Sequence, residues 1–193
     1  MKEELAVLVL GVGNVLFTDE GLGVHALHQL GSRYQFSDNV ALMDGGTLGF
    51  KLMESIMGCD VLIVLDAVLG GGEPGTLYRL TGDALRKSLS FKNSLHQTDL
   101  VDALVCCGFL GKRPDAVVLG MEPGDYKTPG VGLSAVAETK MPALIKSAVE
   151  EIRIAGGATL SDRAWPDDST DCGLWLEAVS ERSVRTPDFQ QPA

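Results

Sequence analysis

The sequence predicts a single α/β domain built on a twisted, mainly parallel five-stranded sheet with helices on both faces. Two observations predict this class. Short apolar runs alternate along residues 5–154 with segments in which apolar residues recur at helical spacing. Several of these runs are apolar without interruption, which is typical of parallel strands covered on both faces and joined by right-handed crossovers. The 193 residues of the chain fit one such domain.

Three predicted strands lie in the first third of the chain, at residues 5–10 (LAVLVL), 40–43 (VALM) and 61–65 (VLIVL). A turn-rich loop at residues 11–19 follows the first strand, and Thr18 or Asp19 is expected to cap a helix that ends near Leu30. Residues 48–57 repeat apolar side chains at helical spacing, which predicts a second helix before the third strand.

Two further strands are predicted at residues 76–80 (TLYRL) and 116–119 (AVVL). The first of these alternates in polarity, as an edge strand does. Between them, Thr98 is expected to cap a helix at residues 99–107. Ser134 is expected to cap a long amphipathic helix that runs to about residue 154.

The alternation of strands and helices ends near residue 155. We therefore divide the chain into one domain at residues 1–155 and a C-terminal tail at residues 156–193. The tail is rich in Ser, Asp, Arg and Pro, and its two tryptophans are isolated. Such a composition buries too little apolar area to offset the entropy lost on ordering, which predicts a poorly ordered tail.

The charge and composition disfavour several classes of partner and location. A formal net charge of −10, from 16 basic and 26 acidic residues, would be repelled by nucleic acid and by anionic membranes. No apolar stretch approaches the roughly 20 residues that cross a bilayer, and none resembles a secretory signal. The four cysteines form no CxxC pair, which favours reduced thiols. We expect a cytoplasmic protein that binds neither nucleic acid nor membrane, and we expect a monomer.

Three side chains that can bind a metal are placed at predicted strand ends. Glu20 follows the loop after the first strand, Asp66 ends the third, and His96 lies in the loop after the fourth. Open parallel sheets bind ligands outside the carboxyl ends of their strands, so these residues converge if the first and third strands are neighbours. Two carboxylates and an imidazole suit nickel, zinc or iron and leave coordination positions open. Each residue alone also has a structural explanation, whereas the trio together favours a metal site.

A second feature at the same edge is the segment Asp44-Gly45-Gly46-Thr47. Paired glycines let a backbone approach closely or adopt positive φ, which a loop that receives an extended peptide needs. An ordinary tight turn after a strand accounts for the same residues, so the placement beside the trio is what supports a binding role.

Other motifs are excluded or lack a chemical role. A GxGxxG frame beginning at Gly11 would place Leu16 at the third glycine, so we expect no nucleotide cofactor. No GxSxG or HExxH motif occurs, and no Ser or Cys stands in a convincing nucleophile position. His25 and His28, spaced i, i+3 on the first predicted helix, are interpreted as surface or packing residues.

Five blocks of the sequence, in order, resemble the nickel–iron hydrogenase maturation proteases: GVGN with TDEG (residues 11–14 and 18–21), DGGT (44–47), LDA (65–67), PGT (74–76) and SLHQ (94–97). The resemblance extends over residues 5–154. It implies an α/β fold with a twisted central sheet, and an endopeptidase that removes a C-terminal extension from the hydrogenase large-subunit precursor.

The resemblance also implies roles for individual residues. Glu20, Asp66 and His96 match the metal-contacting positions, and Asp44 matches the position suspected of acting in cleavage or substrate binding. Gly45, Gly46 and Thr47 are expected to bind substrate. The metal implied is nickel, carried by the precursor and serving to identify it.

Two alternatives stay open from the residues alone. A hydrolase with its own zinc would carry stoichiometric metal when purified. A nickel-sensing chaperone or docking module would bind the precursor without producing a new C-terminus. The absence of an evident nucleophile is compatible with this alternative.

Overall fold

The predicted five-stranded sheet is confirmed in the computed structural model, which describes residues 5–47, 52–82 and 97–162. The strands of the described part are β1 (Val7–Val12), β2 (Tyr34–Phe36), β3 (Val40–Gly46), β4 (Val61–Ala67), β5 (Leu77–Thr81), β6 (Asp115–Met121) and β7 (Thr159–Asp162). Its α-helices are α1 (Leu22–Arg33), α2 (Met53–Met57), α3 (Gln97–Phe109) and α4 (Ala135–Ile154), and a 3₁₀ turn occupies Thr18–Gly21.

The main sheet has the strand order β3-β1-β4-β6-β5, with β5 antiparallel to β6 and the other pairs parallel. β1 lies between β3 and β4, so the first and third predicted strands are neighbours, as expected. Gly11 lies opposite Asp44 of β3 and Leu65 of β4, and the carboxyl ends of these strands therefore meet at one edge.

Both faces of the sheet are covered, because its central strands carry apolar side chains on both. All six residues of β1 are buried. On one face, Val7 and Val9 pack with α1 and with Met141 of α4. On the other face, Leu8 and Leu10 pack with α2 and α3. Burial of each such side chain contributes about 1.5–3 kcal/mol, so the uninterrupted apolar run is what fixes the strand at the centre of the domain.

The start of α1 differs from the prediction. The helix begins at Leu22, after the 3₁₀ turn, and runs past Leu30 to Arg33 without a side-chain cap at its amino end. Thr18 and Asp19 therefore do not cap it. The Thr18 hydroxyl donates to the carbonyl oxygen of Thr128 at 2.8 Å, and Asp19 also bonds to a segment more than 100 residues away. The predicted cap was wrong because both side chains have partners that are distant in sequence.

Two strands extend further than the sequence predicts. Asp44, Gly45 and Gly46 belong to β3 rather than to a turn beyond it, since pairing with β1 continues as far as Gly46. Asp66 lies within β4, opposite Gly120 of β6. Both carboxylates are therefore held by the hydrogen-bonded ladder of the sheet rather than by free loops.

The end of the described chain contains one confirmed and one unpredicted feature. The Ser134 hydroxyl accepts a hydrogen bond from the Ala137 amide at 3.4 Å and so caps α4, as predicted. Beyond α4, β7 pairs antiparallel with β2, and neither strand was predicted. They are four and three residues long, too short to show a periodic apolar pattern. Residues 163–193, most of the predicted tail, lie outside the described residues.

The cysteines in the described part are free thiols, as predicted. Cys59 and Cys107 are buried and Cys106 is partly exposed, whereas Cys172 lies outside the described residues. Burial raises the pKa of Cys59 to about 12, which leaves it a poor nucleophile. Within residues 5–47, 52–82 and 97–162, no helix has the length and apolarity needed to cross a membrane.

Candidate functional site

The carboxyl ends of β1, β3 and β4 lie at one edge of the sheet, along which three predicted site residues are placed, and we call this region the strand-end edge. Asp44 lies opposite Gly11 of β1, and Asp66 follows Leu65, which also lies opposite Gly11. The 3₁₀ turn that carries Glu20 packs against β4. Glu20, Asp44 and Asp66 thus approach the same edge from three elements, while His96, the fourth predicted residue, lies outside the described residues.

Two glycines allow the chain to approach the strand ends closely. A Cβ atom at Gly23, in the first turn of α1, would overlap the carbonyl oxygens of Leu65 and Val12. Gly13 has φ +136° and lies against the carbonyl oxygen of Glu20, where a side chain would also overlap. These two glycines therefore allow close packing, which sets the turn bearing Glu20 directly on the sheet.

Asp19, next to Glu20, is fully buried and accepts four hydrogen bonds. Its Oδ2 accepts from the Gly124 amide at 2.7 Å, the Asp125 amide at 3.0 Å and the Ser134 hydroxyl at 2.6 Å. Its Oδ1 accepts from the Ser134 amide at 2.7 Å. These donors compensate the cost of burying a carboxylate. They also tie the 3₁₀ turn to the amino end of α4, which fixes the backbone on which Glu20 stands.

Glu20 and Asp66 supply two of the three predicted metal ligands. Asp66 is only 4 % exposed, and its Oδ1 accepts the Ala67 amide at 2.8 Å. Glu20 is half-buried. Carboxylate oxygens from neighbouring elements suit a divalent cation, and an imidazole would complete the set. The described part of the chain contains no group of three His, Cys, Asp or Glu residues arranged around a metal, so the trio including His96 stays a prediction.

Asp44 projects from β3 with 41 % of its side chain exposed and contacts on both carboxylate oxygens. Its Oδ1 accepts the Gly46 amide at 2.9 Å, and its Oδ2 lies 3.3 Å from Nε2 of His28. The His28 contact is the largest cause that holds the pKa of Asp44 below its usual value, and the Gly46 amide acts in the same direction. The Gly13 amide donates to the Gly46 carbonyl at 2.9 Å, which joins this segment to the loop after β1.

The two histidines of α1 have different surroundings. His28 pairs with Asp44, as given above, and 35 % of its side chain is exposed. His25, one turn nearer the start of the helix, has a buried Nε2 without a hydrogen-bond partner among the described residues. Burial lowers the pKa of His25, and the neighbouring His28 lowers it further. His25 is therefore a packed, uncharged imidazole, whereas His28 belongs to the strand-end edge.

A third buried carboxylate, Glu122, organises the glycine-rich loop after β4. Its Oε2 accepts the amides of Gly70 at 2.8 Å and Gly72 at 3.2 Å and the Tyr78 hydroxyl at 2.6 Å. Desolvation and the Glu122 contact raise the pKa of Tyr78, so the phenol stays a donor. The loop that leaves β4 just beyond Asp66 is thus fixed to β5 and to the end of β6.

Asp19, His28 and Glu122 were not identified as site residues from the sequence. Asp19 lies inside the TDEG motif, but its donors at residues 124–134 are remote and carry no recognisable spacing. Glu122 likewise binds a loop 50 residues earlier. The sequence did contain a signal for His28, because the residue lies two turns into a predicted helix that starts at the strand ends. Its partner could be identified only once β3 was known to lie beside β1.

The fold and the carboxylate-bearing edge agree with one class of protein. A family model described as "Hydrogenase maturation protease" matches residues 24–151, two thirds of the chain, and the chain belongs to this family. It is accordingly a hydrolase that acts on peptide bonds. The family resemblance and the endopeptidase class expected from the sequence are thereby confirmed.

The chain is also similar to individual hydrogenase maturation proteins over most of its length. It is 40 % identical over 154 residues to "Hydrogenase expression/formation protein HupD" of Rhizobium leguminosarum bv. viciae, covering 79 % of this chain and 76 % of the relative. It is 36 % identical over 153 residues to "Hydrogenase 2 maturation protease" of Escherichia coli, covering 78 % and 90 %. The solved structure of the hydrogenase maturating endopeptidase HybD from E. coli superposes with a TM-score of 0.77 at 33 % identity, covering 81 % of this chain and 98 % of HybD.

Proposed function

We propose that this protease removes the C-terminal extension of a nickel–iron hydrogenase large-subunit precursor after nickel has been inserted into it. The observation that carries the proposal is the placement of Glu20, on a turn packed against β4, and of Asp66, at the end of β4, at the strand-end edge where Asp44 also lies. The family and its relatives, which mature hydrogenases by name, supply the class of client. Location in the cytoplasm and a monomeric state stay predictions from the sequence.

We infer that nickel reaches the protease as part of the substrate. An ion already held by the precursor would complete its coordination with the carboxylates of Glu20 and Asp66 and the imidazole of His96. The low exposure of Asp66, 4 %, supports this role, because a carboxylate withdrawn from water binds a cation more strongly than an exposed one. A precursor without nickel would lack this anchor and would not be held at the edge.

Asp44 and the glycines after it would receive the peptide next to the metal anchor. Gly45 is buried against Leu10 and Leu52, whereas Gly46 adopts φ +46°, a conformation that favours glycine. Thr47 is exposed beyond them. An ionised Asp44 at this position could orient the attacking water or the scissile peptide. Orientation by a bound anchor lowers the barrier by several kcal/mol without a dedicated nucleophile.

The proposal is tested with purified nickel-loaded precursor and mass spectrometry of its C-terminus. Glu20→Gln and Asp66→Asn keep the shape of each side chain but remove its charge, and each is expected to slow cleavage at least about tenfold through lost orientation. Glu54→Gln, at an exposed position of α2, is the matched control and should cleave normally.

The same measurement separates the alternatives. Undiminished cleavage by both carboxylate variants would remove the strand-end edge from the reaction. Precursor that binds to the wild-type chain but is never shortened would favour a docking module. Stoichiometric metal in the purified chain, with cleavage of nickel-free precursor, would favour a hydrolase with a resident ion.

A further inference from the structure

We propose that His28 is a positioning residue that holds the Asp44 carboxylate in its working orientation for peptide cleavage. The inference rests on the proposed function for Asp44 and extends it to a residue of α1. The observation behind it is the contact of 3.3 Å between His28 Nε2 and Asp44 Oδ2 at the strand-end edge.

The two oxygens of Asp44 are held from two different elements. The Gly46 amide of the same strand donates to Oδ1 at 2.9 Å, and His28 of α1 faces Oδ2. One contact alone would leave the carboxylate group free to rotate about its Cβ–Cγ bond. Two contacts, one on each oxygen, define the plane of the group. β3 is an edge strand of the sheet, and α1 packs against it. This packing places His28 of α1 next to Asp44.

Electrostatics supports the same assignment. The described titratable groups that act on Asp44 are His28 and His25, both from α1. The His28 contact is the largest influence on the Asp44 pKa and lowers it, against the effect of partial burial. The His25 effect is the smallest, and its Nε2 has no hydrogen-bond partner among the described residues. Of the two histidines, His28 is therefore the one that favours an ionised Asp44.

The pair contributes little to overall stability. His28 and Asp44 are 35 % and 41 % exposed, and ion pairs with this exposure stabilise a fold only slightly. A role in positioning predicts a large effect on cleavage together with a small effect on unfolding. A merely structural role predicts the reverse, so the two are separable by experiment.

The test compares His28→Leu, His28→Gln and the control Gln29→Leu in the full-length chain, with nickel-loaded precursor as substrate. We expect His28→Leu to lower kcat about tenfold with little change in KM. His28→Gln, whose amide can donate to Asp44, is expected to recover most of this loss. Gln29→Leu changes the neighbouring position of the same helix and should match the wild type. Unfolding midpoints should coincide for all four proteins.

A second readout follows Asp44 directly. The carbon-13 signal of its carboxyl group, titrated with acid, should report a higher pKa in His28→Leu than in the wild type, with His28→Gln between them. The acid limb of kcat/KM should move in the same direction. If the leucine variant does not fold, His28→Ala serves in its place, because alanine is well tolerated within a helix.

Two results would overturn the inference. One is a wild-type kcat in His28→Leu. The other is an Asp44 titration that is unchanged in this variant, whatever happens to its rate. Failure of the proposed function would look different, because the wild-type chain itself would then leave nickel-loaded precursor uncut and the His28 assignment would fall with it.

Discussion

At the scale of single residues, the buried carboxylate of Asp19 contributes most to the geometry of the strand-end edge. It accepts four hydrogen bonds from three residues of another segment and immediately precedes Glu20. Its partners are backbone amides and a hydroxyl rather than a cation. An amide nitrogen cannot accept, so an asparagine would leave at least the Ser134 amide unpaired, or three donors in its other orientation. The hydrogen bonds that remain would lose the charge of their acceptor.

We therefore expect Asp19→Asn to lower the free energy of unfolding by about 2–4 kcal/mol, since buried donors without an acceptor are costly. Chemical denaturation measures this directly. Asp38→Asn, at an exposed turn position, is the control and should stay within about 0.5 kcal/mol of the wild type. A loss below about 1 kcal/mol for Asp19→Asn would mean that the four contacts do not anchor the turn.

The lowered pKa of Asp44 has a consequence for stability at acid pH. A carboxyl whose folded-state pKa lies below its unfolded value of 3.8 stabilises the fold above that value. This contribution is lost as the pH falls through the folded-state pKa. Because the side chain is 41 % exposed, solvent screening limits the effect to about 1 kcal/mol or less.

Unfolding free energies of the wild type and Asp44→Asn, measured between pH 7 and pH 3, test this sign. The wild type should be the more stable at pH 7, and the difference should shrink toward pH 3. A difference that instead grows with falling pH would show that the contacts of Asp44 do not favour its ionised form.

At the scale of elements, much of the strand-end edge could be predicted because apolar runs identify parallel strands. Residues 61–65 form an uninterrupted apolar run, so the following Asp66 had to lie near a strand end. The neighbouring placement of β1 and β4 matches a common strand order of open α/β sheets, in which the first and third strands are neighbours. The start of α1 and the β2–β7 pair could not be predicted, because both depend on contacts between segments more than 100 residues apart.

The glycine loop after β4 is an element whose order depends on one side chain. Glu122 accepts the amides of Gly70 and Gly72, and Tyr78 donates to the same oxygen. Glu122→Ala leaves three donors without this acceptor. Tyr78→Phe removes the hydrogen bond to Glu122 and the one that the Tyr78 hydroxyl accepts from the Gly72 amide at 3.0 Å, but it keeps the carboxylate.

We expect amide hydrogen exchange at Gly70 and Gly72 to accelerate strongly in Glu122→Ala. In Tyr78→Phe the acceleration should be smaller, because both glycine amides keep Glu122 as an acceptor, and each hydrogen bond lost with the hydroxyl contributes about 1 kcal/mol. Exchange at the centre of β4, for example at Ile63, serves as the internal control and should not change. Equal exchange at the two glycines in the wild type and Glu122→Ala would show that the carboxylate does not hold the loop.

At the scale of the whole molecule, the chain combines an ordinary α/β core with a site of carboxylates at one edge. The core could be predicted because burial on both faces gives a strong apolar signal in each central strand. The contacts of Asp19, His28 and Glu122 could not be predicted, since their partners are distant in sequence and only the fold brings them near. Asp44, Glu20 and Asp66 were predicted from their motifs and strand-end positions, and the fold places all three at the strand-end edge.

We propose that the protease recognises nickel within its substrate. The most direct measurement compares nickel-loaded and nickel-free precursor at equal enzyme concentration, with mass spectrometry of the precursor's carboxyl end over time. If Glu20, Asp66 and His96 bind an ion carried by the precursor, the nickel-loaded form loses its C-terminal extension and the nickel-free form stays intact. Cleavage of both forms at the same rate would show that the protease does not recognise nickel in the precursor.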